Sequence, residues 1–263
     1  SLAEGSVSAL TTAFVIMYMP LAAIAQSVAI ASMPTLSEQH ALGKTEEFKS
    51  TLTSGLRSVI LLTIPAIVGL IFIRYPLFNL MRSEAFDERS VAMTATALFW
   101  YAIGLLGPAL IELLSRAFFA LHDTKTPVIT TTSTMLLNIY LCTILPGWFE
   151  SMEILPLAGL AAAFSLTNGI ECVLLYWLLN RRLEGLENSK VLSSLAVALA
   201  SAAVMAAILY AVLFRFVPRP SVIQITVLIV ISAVVYALML FALRVPEVLT
   251  LWRGVVRRLK PDH

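Results

Sequence analysis

Residues 191–214 read VLSSLAVALASAAVMAAILYAVLF, twenty-four consecutive positions without a charged side chain. An α-helix needs about 20 mostly apolar residues to cross the hydrocarbon of a bilayer, so this stretch predicts a transmembrane helix. Applied on either side, wherever charged or turn residues interrupt an apolar run, the same test marks approximately 8–34, 52–75, 91–120, 127–146, 154–179 and 221–243 as further spans. Polar links such as SEQHALGKTEEFK, RSEAFDER, HDTKT, NRRLEGLENSK and RFVPRP separate them. A membrane β-barrel would show segments of about ten residues with alternating polarity, whereas these runs are continuous and rich in Leu, Ala, Ile and Val. The expected fold is therefore all-α: a polytopic transmembrane helical bundle of about seven spans, with short links joining antiparallel neighbours.

Composition points the same way. Of 263 residues, 59% are hydrophobic and 13% charged, with a mean hydropathy of +0.89. A soluble domain carries about 25% charged residues, so a soluble enzyme, a nucleic-acid binder and a disordered tail are excluded. The net charge of +2 says little about partners, but the placement of the charges sets a direction. With residue 1 outside, the inner segments hold Lys44, Lys49, Lys125, Arg181, Arg182, Lys190, Arg244, Arg253, Arg257, Arg258 and Lys260. The outer segments hold Arg74, Arg82, Arg89, Arg215 and Arg219. Because Lys and Arg collect in cytoplasmic links, eleven against five predicts an external N-terminus and a cytoplasmic C-terminus. An external start at Ser1 with no signal-peptide pattern leads to the expectation of upstream helices, so that the chain reads as the C-terminal part of a larger transporter. Cys142 and Cys172 both fall within apolar runs and are expected to be buried free thiols.

The tail contains EVLTLWRGVVRRLK, in which Val248, Trp252, Val255, Val256 and Leu259 share a helical face and Arg253, Arg257 and Lys260 point away. That pattern suits a helix lying on the membrane surface. Within the spans, Pro20, Pro34, Pro65 and the Gly104/Gly107/Pro108 group stand where a continuous helix would otherwise run, and they predict kinks. The pairs Gly159/Ala163 and Ala196/Ala200 have the spacing of close helix contacts.

Charges inside a bilayer are costly, about 2.5–3.5 kcal/mol each at a helix centre, and each one calls for a reason. Arg57 is about a turn and a half inside its span: it either snorkels to the surface or faces a cavity and pairs with an anion, for which a guanidinium is well shaped. Glu112 and Arg116 lie four apart on one face, as a structural pair or as cavity lining. Glu171 has no partner at i±4 in its own helix, so it meets one on another helix, meets water or is protonated; a buried carboxyl can relay a proton or bind a cation. Asn138 reads as an interhelical hydrogen bond and, with Glu171, as a candidate for ion or proton coupling. No phosphate-binding loop, HExxH pair or GxSxG elbow is present, and His40, His122 and His263 are too dispersed in sequence to predict a metal site. The expected cofactor is none.

Two segments carry a resemblance. Residues 5–48, GSVSALTTAFVIMYMPLAAIAQSVAIASMPTLSEQHALGKTEEF, resemble the eighth helix and following link of the MurJ/MviN lipid II flippases, part of a multidrug/oligosaccharidyl-lipid/polysaccharide exporter superfamily. Residues 116–128, RAFFALHDTKTPV, resemble the family's R-x-F-Y-A-x-x-D-T-x-T-P-V link and are the more specific match. The resemblance spans about 185 residues, with two further helices similar to the family's appended pair. It implies a C-terminal transporter lobe over 1–186, a two-helix hairpin over 187–245 forming a groove for a polyprenyl tail, and the cytoplasmic amphipathic tail over 246–263. It further implies a non-enzymatic flippase of the bacterial inner membrane. Such a protein moves an undecaprenyl-diphosphate-linked peptidoglycan precursor to the outer leaflet by alternating access, with Arg57, Arg116 and Glu112 as candidate substrate contacts.

The implied partners are lipid II or a related polyprenyl-diphosphate lipid, membrane lipids and an N-terminal lobe of the same chain, with no nucleic acid. Coupling to membrane potential or a monovalent cation is expected. One departure stands out: family members carry an Asp-Arg pair soon after the GSVS-like entry, where this chain has Phe14 and Val15. The same architecture would serve an exporter of another polyprenyl-linked saccharide or small solute, or a nontransporting scaffold.

Overall fold

The computed structural model describes residues 5–83, 86–215 and 222–242. Its helices are α1 (Ser6–Leu21), a π-helical turn (Ala22–Gln26), α2 (Ser27–Ala41), α3 (Thr45–Leu80), α4 (Glu88–Gly104), α5 (Leu106–Ala120), α6 (Lys125–Ser151), α7 (Pro156–Arg182), α8 (Asn188–Arg215) and α9 (Val222–Ala242). The surface helix expected over 246–263 lies outside the described residues.

Among the described residues, five helical stretches are long and apolar enough to cross a membrane: Ser6–Ala41, Thr45–Leu80, Lys125–Ser151, Pro156–Arg182 and Asn188–Val212. The pair α4 and α5, bent by 43°, adds a sixth, and α9 supplies a shorter apolar helix. The expected third span is therefore a broken one, and the first is a continuous helical span with a π-helical turn inside it. Pro20 offers no N–H to the carbonyl of Ile16, and two residues later the helix widens into the π turn, a usual response to a lost rung. Across it, Gln26 Nε2 donates to the Tyr18 hydroxyl at 2.8 Å. The break in the third span falls at Leu105, between the predicted Gly104 and Gly107.

The links end helices by ordinary means. Gly43 takes the left-handed conformation after α2, φ +69°, and Lys44 N–H closes back on the Gln39 carbonyl at 2.9 Å. Asp87 caps α4, its Oδ1 accepting from Ser90 N–H at 2.8 Å. Pro156 opens α7, where its missing N–H costs nothing. The described links fall into two sets. Residues 42–44, 121–124 and 183–187 lie at one end, the lysine-bearing end, which carries Lys44, Lys49, Lys125 and Lys190; residues 81–83, 86–87 and 152–155 lie at the other.

Small residues let the helices approach closely. A methyl group added at Gly104 would stand 2.2 Å from Ser165 Oγ and 2.6 Å from Ser165 Cα, and one at Gly159 would stand 2.6 Å from Pro146 N and 2.7 Å from the Leu145 carbonyl carbon. Such distances are far inside van der Waals contact, so α4 rests on α7 and α6 on α7 only because these positions lack Cβ. Gly159 and Ala163 pack as expected, with Ala163 fully buried. Ala196 and Ala200 do not: both are exposed. The inward face of α8 is instead Ser194, Ala198, Ser201 and Ala202, because α8 presents to α3 the helical face offset from the predicted pair by about half a turn.

Candidate functional site

An open cleft of about 380 Å³ lies between α3, the α4–α5 break and α8. Ile64, Ile67 and Val68 line it from α3, Ile103 and Leu106 from the two sides of the break, and Leu195, Leu199, Ala202, Ala203 and Ala206 from α8. Every lining residue is apolar. Its width comes from the alanines of α8, which leave room where larger side chains would close the gap. Its height comes from the break, which turns α5 away from the line of α4.

Arg57 stands below this cleft toward the lysine-bearing end. It is half-buried, and its Nε donates to the buried Ser194 Oγ of α8 at 2.7 Å. Seven residues separate Arg57 from Ile64, which at 1.5 Å per residue is about 10 Å along α3. The same helix pair thus carries a guanidinium at one level and an apolar cleft about two turns further on.

Glu112 and Arg116 pair with each other along α5, Oε2 to Nη2 at 3.5 Å, with side chains 30% and 28% exposed. The Arg116 Nε is buried and finds no hydrogen-bond partner, so the guanidinium is only partly satisfied.

Glu171 finds its partners on another helix, one of the alternatives left open by the sequence. Thr131 Oγ1 of α6 donates to its Oε1 at 2.6 Å, and Thr134 Oγ1 lies 2.8 Å from its Oε2. Glu171 is 6% exposed and Thr134 4%. One turn along the same seam, Asn138 Nδ2 donates to Thr167 Oγ1 at 3.1 Å, the interhelical bond expected of it. Threonines 131, 134 and 167 complete the ladder, because i, i+3 and i+4 positions share a helical face. Thr134 has one proton and three acceptors in reach, the third and second being the Thr130 and Thr131 carbonyls at 3.1 Å each. Its hydroxyl can therefore turn from carboxylate to backbone. Two of the five candidate residues, Glu171 and Asn138, are thus brought to one interface; Arg57 joins α3 to α8, and Glu112 and Arg116 stay together on α5.

At the lysine-bearing end the HDTKTP link is an interlock. Asp123 accepts from Thr126 N–H at 3.0 Å and from Thr126 Oγ1 at 2.7 Å, and forms an ion pair with Arg182 at the end of α7. The hydrogen bond from the Thr126 N–H, with the nearby Arg182 charge, holds the Asp123 carboxyl below the usual carboxylate range. The sequence carried this motif without revealing its geometry, since Asp123 and Arg182 lie 59 positions apart. His40 and His122, dispersed in sequence, meet with ring centroids 5.7 Å apart. Among the described residues no group of three or more His, Cys, Asp or Glu is placed to hold a metal.

Where the family pattern has its Asp-Arg pair, Phe14 packs edge-on against Tyr101 and Phe164 with centroids 5.8 and 5.6 Å away. Tyr101 and Phe164 meet at 5.4 Å. Val15 beside it is 50% exposed. An aromatic cluster joining α1, α4 and α7 thus stands where the resemblance led to the expectation of charge.

Comparison with known proteins adds the last observation. The family model described as lipid II flippase MurJ matches residues 1–232. The lipid II flippase MurJ of Burkholderia cenocepacia is 37% identical over 128 residues, covering 48% of this chain and 25% of that protein. The probable lipid II flippase MurJ of Vibrio cholerae is 33% identical over 177 residues, covering 66% of this chain and 32% of its own length. A solved structure of lipid II flippase MurJ in an inward closed conformation superimposes with a TM-score of 0.72 at 25% identity, covering 90% of this chain and 47% of that one. The chain spans about a quarter to a third of those two relatives and about half of that structure. With a single family model matching most of a polytopic helical chain that folds like a solved member, the protein belongs to the lipid II flippase MurJ family.

Proposed function

We propose that this chain forms the C-terminal lobe of a flippase for lipid II, the undecaprenyl-diphosphate-linked peptidoglycan precursor, in the bacterial cytoplasmic membrane. In this reading its lysine-bearing end and its C-terminus face the cytoplasm. The observation that carries the reading is the apolar cleft above Arg57. An isoprenoid chain needs a dry, lipid-continuous slot, and a diphosphate needs a cation near its mouth; α3 and α8 offer both within about two helical turns. In this reading α8 and α9 form the appended hairpin, residues 187–245, and the lobe proper spans 1–186.

Transport here is noncovalent. Cationic side chains hold the diphosphate in a water-accessible cavity shared with an N-terminal lobe while the tail stays in lipid, and rocking of the lobes re-exposes the headgroup. Arg57 is the primary phosphate contact from this half, with Arg116 and its partner Glu112 as a second, charge-balanced site. A membrane potential adds about 2.3 kcal/mol per charge per 100 mV, which biases an anionic cargo. Glu171 and Asn138 are assigned to coupling with a proton or a monovalent cation, since their seam contains the one buried carboxylate among the described residues.

Phe14 and Val15 favour a second reading, export of another polyprenyl-linked saccharide, because an aromatic cluster replaces the family's charged pair. Complementation separates the two. The full-length parent gene is expressed in a flippase-depleted bacterium and lipid II on the outer leaflet is scored. Restored exposure, lost again in Arg57→Ala with insertion intact, supports the flippase reading. A well-inserted protein that restores nothing in a compatible host points to another cargo, and normal flipping by Arg57→Ala reduces that residue to a snorkelling anchor.

A further inference from the structure

Pro65 lies inside α3 and has no N–H, so the carbonyl of Leu61, four residues earlier, has no partner within its own helix. In hydrocarbon an orphaned carbonyl must be satisfied by some other group. The donor comes from the far end of the chain: the Tyr236 hydroxyl of α9 donates to the Leu61 carbonyl oxygen at 2.8 Å. Tyr236 is 5% exposed and Leu61 3%, so the bond is buried. One turn earlier, Arg57 Nε is bonded to Ser194 of α8. The helix α3 is thus tied to α8 and α9 at two successive turns just before its proline.

The position of this bond matters because of what surrounds it. Ile64, Ile67 and Val68 of the cleft straddle Pro65, and Ile103 and Leu106 straddle the break at Leu105. The cleft is thus lined from both sides of a proline inside the continuous helix α3 and from both sides of the α4–α5 break, so a change in the course of α3 at Pro65 would change its width. The α4–α5 joint is held from α7 by the close approach of Ser165 to Gly104. In α3 the carbonyl left open by Pro65 is met by a single phenolic hydroxyl.

We propose that Tyr236 is a positioning residue for the cleft: its hydroxyl replaces the N–H that Pro65 lacks, fixes the course of α3 at that turn and thereby sets the shape of the slot that receives an isoprenoid chain. The proposal rests on the reading of the cleft as a tail site. Tyr236 does not touch the cargo; it acts through the α3 backbone.

The decisive experiment uses the restoring power of Pro65→Ala, which gives Leu61 an intrahelical N–H and makes the hydroxyl redundant. Full-length protein in lipid bilayers, in a cysteine-free background, is spin-labelled at Ser54 and Tyr75, on either side of Pro65. Binding of undecaprenyl phosphate is measured in parallel. Tyr236→Phe is expected to broaden the label distance distribution and weaken undecaprenyl phosphate binding by about 3- to 10-fold, the worth of one hydrogen bond. On the Pro65→Ala background the same substitution is expected to change neither.

A Tyr236→Phe protein with wild-type distances and affinity overturns the positioning role, as does an equal loss with and without Pro65→Ala. Should Tyr236→Phe alone fail to insert, recovery by Pro65→Ala supports the assignment and failure to recover overturns it. If the wild-type protein binds no undecaprenyl phosphate, the tail-site reading itself fails and takes the proposal with it.

Discussion

The α6–α7 seam and the α3–α8 cleft are both contacts between apolar helices, yet they are built in opposite ways. At the seam, Gly159 brings backbone against backbone and side chains supply the polarity: Glu171, Thr131, Thr134, Asn138 and Thr167. At the cleft α3 and α8 still pack through Ile60, Ile64, Ala198 and Ala202, but an apolar gap of about 380 Å³ opens between them and the α4–α5 break, and the polarity lies outside it at Arg57 and Ser194. Without water as a competitor, helices in a bilayer associate through close packing and buried hydrogen bonds. The seam uses both along its polar face and reads as a fixed element, whereas the cleft walls that face the gap are apolar and partly uncovered and read as a receptive one.

If this contrast is real, added volume should be intolerable at the first site and harmless to folding at the second. Gly159→Val places branched carbons within the α6 backbone and is expected to cost about 3 kcal/mol, seen as a collapse in the yield of monodisperse detergent-solubilised protein. Ala203→Phe, on the exposed cleft wall, is expected to leave that yield unchanged while weakening polyprenyl phosphate binding by about tenfold, about 1.4 kcal/mol. Equal yields for the two variants would erase the distinction.

Smaller effects sharpen it. Glu171→Gln keeps a hydrogen-bonding side chain in the seam and is expected to cost about 1 kcal/mol of stability. In a transport assay it is expected to slow flipping, and a wild-type rate would remove Glu171 from the proposed coupling. Asp123→Ala deletes a helix cap and is expected to cost about 1 kcal/mol by denaturant titration. The Asp123 carboxyl is held below its ordinary value, so its stabilisation is fully present above the unfolded-chain pKa of about 3.9 and is lost as pH falls through the lower folded value. The gap between wild type and Asp123→Ala should therefore be constant near neutrality and close below about pH 4.

Much of this architecture was legible in the residues. Uncharged runs gave the spans, because hydrocarbon thickness acts on every segment alike, and the prolines and glycines marked the π-helical turn near Pro20 and the break at Leu105. Gly159/Ala163 read correctly and Ala196/Ala200 did not: spacing identifies a close-packing face only when the neighbour's direction is known, and in a helix apolar all round nothing local points inward. The partner of Glu171 was narrowed to another helix by eliminating its own. Thr131 and Thr134 were invisible beforehand, since threonine in a membrane helix usually bonds its own backbone. The Phe14 cluster was noticed only as a missing charge, for an aromatic contact among three helices leaves no periodic trace.

The bond between Tyr236 and Leu61 joins residues 175 positions apart. Ribosomes add about 5–20 residues per second, so some 10–35 seconds pass between synthesis of the proline and arrival of the hydroxyl that completes its turn. During that interval α3 must be inserted with an open carbonyl, held by water, lipid headgroups or the insertion machinery. That turn is therefore sealed only when α9 docks, and a chain stopped before Tyr236 would present quality control with a correctly threaded protein that has one unsealed turn.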